Sequence, residues 1–191
     1  MNAWARALTL FHEIAAFDRG LAAELRRSER ASEALAAWYV RSEELILSAL
    51  HAELERRVAE LGPIGLSLRV TAPSAVPRLG PSSFSLRYLS VCLADEVVTA
   101  YATRQGACSL TLHWAWQLQS PSERFPRILS VPGIRVRPGP EQAIVLEAVV
   151  SGASKAPVAL SDVAGEILSM LAEAAASQRR LRSGGARPGW A

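Results

Sequence analysis

Side chains able to do chemistry are sparse in this sequence. Histidines stand at 12, 51 and 113, cysteines at 92 and 108, and a single lysine at 155 among 20 arginines. His12-Glu13 opens like a zinc-protease helix, but position 16 is alanine, so the second histidine of that motif is missing. His51 and Glu55 have the i, i+4 spacing of a metal half-site, with Glu44 two turns back. A solvated helix face explains the same spacing, and three scattered histidines make no metal centre. His113 lies among apolar neighbours, where an imidazole titrating near neutrality could act as acid or base. A buried neutral histidine with one hydrogen-bond partner is the simpler account and the one expected. No glycine-rich phosphate loop, Cys-x-x-Cys pair, Gly-x-Ser-x-Gly elbow or calcium loop occurs. Catalysis is left without a constellation, so the chain leans away from being an enzyme, and no metal or cofactor is expected.

The arginines form two further groups. Arg124, Arg127, Arg135 and Arg137 fall in a stretch without an acid, and Arg179, Arg180, Arg182 and Arg187 follow the last acid, Glu173. Guanidinium groups bind phosphates well, so nucleic-acid or other anion binding through the first group is one expectation. The second group also suits a helix C-terminus through the macrodipole. Charge is uneven. Residues 1–60 hold 8 arginines and 10 acids, and residues 61–191 hold 13 basic residues and 8 acids. No helix-turn-helix, zinc-finger or aromatic RNA-binding signature accompanies the basic half.

The elements that must carry these side chains are readable from periodicity. No proline occurs before Pro63. Leu10, Ile14, Phe17, Leu21 and Leu25 recur at helical spacing, as do Val40, Leu47, Leu54 and Leu61, with Ile46, Leu50 and Val58 beside them. Two helices are expected, about 3–27 and 31–61, interrupted near Asp18-Arg19-Gly20 or Ser28 to Ser32, forming a hairpin or one bent arm. Gly62 is expected at C′ with Pro63 behind it. The period then changes to two at Leu66, Leu68 and Val70, predicting a strand, followed by a loop over 71–83. A three-stranded antiparallel meander is predicted over 84–94, 97–104 and 107–118, with turns at Asp95-Glu96 and Gln105-Gly106. Strands over 128–137 and 142–151 and a helix over 161–180 follow. The fold class is α+β: an N-terminal helical arm or hairpin, an antiparallel sheet of about five to six strands and a C-terminal helix. The expected division is a helical arm over 1–61, a sheet domain over 62–182 and a disordered tail over 183–191.

Two-residue turns would fix the register. Cys92 would face Thr99 and Leu112, Ser90 would face Tyr101 and Leu110, and Tyr88 would face Thr103 and Cys108. One face would then join Tyr88, Tyr101, Trp114 and Trp116, a possible ligand pocket, with His113 on the other. Cys92 and Cys108 would be more than about 10 Å apart, beyond disulfide reach.

No run of 18 apolar residues spans a bilayer, and the start is not a signal peptide, since His12 and Glu13 end its short apolar run. A cytoplasmic protein with no membrane partner is expected. The leading functional expectation is non-enzymatic: an interaction or assembly protein whose arm contacts itself or another protein through Val40, Leu47, Leu54 and Leu61. The alternatives are a small-molecule binder or enzyme using the aromatic face, and a nucleic-acid binder using the arginines.

Overall fold

The computed structural model describes residues 3–75, 84–105, 109–118, 133–148 and 156–184. Its first element, α1 (Ala3–Leu61), is one uninterrupted helix of 59 residues, about 88 Å long. Neither expected break occurs. Gly20 costs about 1 kcal/mol relative to alanine, but its neighbours are alanine, leucine, arginine and glutamate, and no proline intervenes. The helix ends in a 3-10 turn, Gly62–Ile64. Gly65, not Gly62, takes the left-handed conformation, at φ +76°, and its N–H donates to the Gly62 carbonyl at 3.0 Å.

The strands are β1 (Leu68–Val70), β2 (Ser74–Ala75), β3 (Phe84–Leu93), β4 (Glu96–Gln105), β5 (Ser109–Leu118), β6 (Ile134–Pro138) and β7 (Ile144–Ala148). They form one antiparallel sheet in the order β1-β3-β4-β5-β6-β7, with β2 also beside β3. The short β2 falls in a segment expected to be loop. Helix α2 (Leu160–Gly184) closes the chain and extends past the expected end at 180. The architecture is α+β, as its residue pattern implies.

The register differs from the expectation at both turns. The first hairpin turns at Ala94-Asp95, so that Leu93 pairs with Glu96 and Cys92 with Val97. Glu96 is a paired strand residue because its buried carboxylate accepts the indole N–H of Trp116 at 2.6 Å. This slip of two residues keeps the faces of β3 and β4 as expected. The second hairpin closes at Gln105–Ser109, leaving three residues between the strands, and Tyr101 pairs with His113 rather than Leu110. That slip is odd, so every side chain of β5 changes face.

Both helices lie on one side of the sheet. Leu47, Leu50 and Leu54 of α1 and Val163, Ile167 and Leu171 of α2 form one buried cluster with Leu89, Val91, Val98, Ala100, Leu110, Leu112 and Trp114. The expected boundary at residue 61 is therefore not a division in packing. From Trp38 onwards α1 belongs to the core of the sheet. From Phe11 to Leu35 its side chains are exposed, except Ala22 and Ala23, which are half-buried. We call this segment the arm and the remainder the body.

Candidate interaction surface

Two polar contacts fix where the arm leaves the body. The Trp38 indole N–H donates to the Gln142 carbonyl at 2.9 Å, tying α1 to the connection between β6 and β7. Five residues later the buried Glu43 carboxylate accepts from Ser85 Oγ at 2.7 Å and from Arg104 Nε at 3.1 Å. Arg87 lies 3.9 Å from Glu44 beside it. A buried carboxylate needs such partners to offset its lost hydration. Glu43 was not singled out from sequence. Its signal was a polar pair, Ser42-Glu43, at the helical spacing of Tyr39, Ile46 and Leu47, where the apolar stripe should have continued.

The residues expected to form an interface divide. Leu47 and Leu54 are fully buried against the sheet, Leu61 is half-buried, and Val40 is 51% exposed. Their seven-residue spacing serves the body's own core. The free apolar surface lies earlier on α1. Phe11, Ile14, Phe17, Leu21 and Leu25 are 63%, 56%, 71%, 47% and 57% exposed. The spacing places them along one side of the helix, and they stand on a segment that no described element covers. A fully buried phenylalanine removes roughly 150–250 Å² from water. At these exposures the five side chains present about 500 Å² of apolar surface, near the upper range of patches on soluble monomers.

The expected aromatic pocket is not assembled. Tyr88 and Tyr101 pair across β3 and β4, with ring centroids 6.5 Å apart. His113 stands beside Tyr101 on that same face, contrary to expectation. Trp114 is buried on the opposite face among the helices, and Trp116 follows it there, bound to Glu96. The face with the tyrosines also carries a hydroxyl pair, Ser90 with Thr99 at 2.8 Å. Gly133 approaches it so closely that a Cβ there would lie 2.4 Å from Cε1 of His113.

Of the arginines, Arg124 and Arg127 lie outside the described residues. Arg135 and Arg137 share the exposed face of β6, but Glu147 is the cross-strand neighbour of Arg135 and forms an ion pair with Arg137. A carboxylate between them reduces their attraction for phosphate. An open hollow of about 450 Å³ at the β1 end of the sheet is lined by Arg69, Arg179, Ser67 and Cys92 among others, without an acid. An apolar groove of about 550 Å³ runs between Leu45 and Ala49 of α1, Val145 of β7 and Leu160 of α2.

Along the core-facing half of α1, Arg56 and Arg57 both donate to Glu53, and these hydrogen bonds hold its carboxyl down at about 2. His51 and Glu55 approach to 3.5 Å. Among the described residues no three His, Cys, Asp or Glu side chains converge on a possible ion, and no helix is long and apolar enough to cross a membrane. Cys92 is buried and free, and Cys108 lies outside the described residues. Compared with protein-family models, curated proteins and solved structures, the chain matches none.

Proposed function

We propose that this protein is a non-enzymatic association protein whose body holds out the arm, residues 11–35 of α1, as its contact surface. The observation that carries this reading is the exposed stripe from Phe11 to Leu25 on a helix that continues without a break into the core. At about 25 cal/mol per Å², covering about 500 Å² offers roughly 12 kcal/mol before the costs of association. The body needs none of this area, since its own core is closed by Leu47, Leu50, Leu54 and α2. The reading thus moves the contact from Val40, Leu47, Leu54 and Leu61 to the arm. A pocket lined jointly by Tyr88, Tyr101, Trp114 and Trp116 loses support because the sheet separates them. The nucleic-acid reading loses support from Glu147. A reducing, cytoplasmic setting fits the buried free thiol of Cys92.

Phe17→Glu combined with Leu21→Glu tests the reading. Sedimentation or light scattering of the full chain should show an associated wild type and a smaller double variant with an unchanged sheet signal. Association that survives both charges would refute a role for the stripe.

A further inference from the structure

We infer that the partner of the arm is a second copy of the same arm, paired antiparallel across a two-fold axis near Arg19. The inference rests on the reading of the arm as a contact surface and adds the partner and its direction. Ile14 and Leu21 are seven residues apart with Phe17 between them, the spacing of a helix–helix seam. Phe11, Asp18 and Leu25 flank one side of that seam, and Glu13, Gly20 and Arg27 flank the other, each set again at seven-residue steps.

The flanks decide the direction. In a parallel pair the two flanks face each other five residues out of step, which sets Glu13 against the partner's Asp18, acid on acid, twice over. In an antiparallel pair each flank meets its own copy. With Phe17 packed on the partner's Leu21, Glu13 then faces the partner's Arg27, also twice over, and Phe11 faces the partner's Leu25. Gly20 faces the partner's Gly20, and it carries no side chain to hold the helices apart at the axis. Adverse contacts remain: Asp18 against the partner's Asp18, and Glu24, the next seam position after Leu21, against the partner's Ile14; a parallel pair would instead set Glu24 against the partner's Glu24. Electrostatic and apolar terms therefore favour the same arrangement, since charged flanks select orientation and partner.

Area and sterics agree. Two copies of the stripe cover about 1,000 Å² together, the lower bound for a specific interface. Trp38 lies 19 residues beyond Arg19, about 28 Å along the helix, so the bodies sit at opposite ends of the pair without collision.

Charge reversal tests the direction, because Glu13 and Arg27 are about 21 Å apart on their own helix and cannot pair within one chain. The dimer constant of the full-length protein would be measured by sedimentation for wild type, Glu13→Arg, Arg27→Glu and the double variant. Circular dichroism would monitor the fold. Each single reversal should weaken dimerisation about tenfold, and the double should return to within about threefold of wild type. A double variant no tighter than the singles overturns the antiparallel pairing. So does a Glu13→Arg protein that dimerises more tightly, the result a parallel pair would give. A wild type that stays monomeric at about 100 µM overturns self-pairing. Because Phe17→Glu with Leu21→Glu reads loss of any partner, the contact role of the arm is judged separately.

Discussion

Truncating one leucine of α1 in the body and one in the arm should give opposite outcomes on the same helix. Leu54 has no exposed surface and packs between the sheet and α2, whereas Leu21 is 47% exposed on the arm. Leu54→Ala removes buried carbon atoms and leaves a cavity, at a cost of about 3–5 kcal/mol. Leu21→Ala in an isolated chain removes carbons that already meet water, and alanine is the better helix former, so its cost should stay within about 0.5 kcal/mol. Urea unfolding monitored by the sheet signal, at protein concentrations below any association, is the assay. With a slope of about 2 kcal/mol per M, the Leu54→Ala midpoint should fall by about 1.5–2.5 M and the Leu21→Ala midpoint should not move. At high protein concentration Leu21→Ala should instead lower the midpoint, because the associated state is lost. Equal destabilisation by the two substitutions under dilute conditions would show that the arm is packed against its own body, and would refute the reasoning.

Four further outcomes are expected. Ala94→Gly should stabilise the protein by about 0.5–1 kcal/mol, because Ala94 holds φ +53° in the β3–β4 turn; a lower melting temperature would count against that turn. Gly133→Ala should cost about 1–3 kcal/mol, since the added carbon meets His113 and, at 2.8 Å, Thr111; thermal melting reads this. Glu43→Ala removes the carboxylate that Ser85 and Arg104 contact and should cost about 1–3 kcal/mol in urea unfolding. The Glu53 carboxyl lies below its ordinary 4.5 in the folded protein, so what it adds to stability is present above pH 4.5 and is lost as pH falls towards 2; a carboxyl NMR titration with its midpoint near 4.5 would refute the pairing with Arg56 and Arg57.

The sequence made the class of each long element legible, and the places where it misled have local causes. Periodicity located both helices and the meander because burial imposes 3.6 and 2 on the residues that face the core. The face that Tyr88 and Tyr101 share on β3 and β4 was legible because a slip of two residues preserves parity. The position of β5 was not, since three residues rather than two separate Gln105 from Ser109, and nothing local to Gln105-Gly106 distinguishes these lengths. Asp95-Glu96 looked like a turn because it is a polar pair between two apolar runs. Glu96 is instead the first paired residue of the strand, and its carboxylate accepts from Trp116, 20 residues away, a contact that local pattern cannot contain. The stripe expected to be free was drawn to a buried stretch of α1 for a related reason. Leu47 and Leu54 repeat as regularly as Ile14 and Leu21, and spacing alone does not reveal which stripe the sheet covers.

The continuity of α1 makes the arm a lever. Its two polar attachments, Trp38 and Glu43, are five residues apart, about 7.5 Å along the axis, and Phe11 stands 27 residues beyond Trp38, about 40 Å further out. A rigid rod pivoting between such points magnifies motion about fivefold. A shift of 1 Å between the β6–β7 connection, which holds Trp38, and the β3–β4 strands, which hold Glu43, would swing the far end of the stripe by about 5 Å. Small rearrangements within the sheet would thus be read out as a change of aim at the tip.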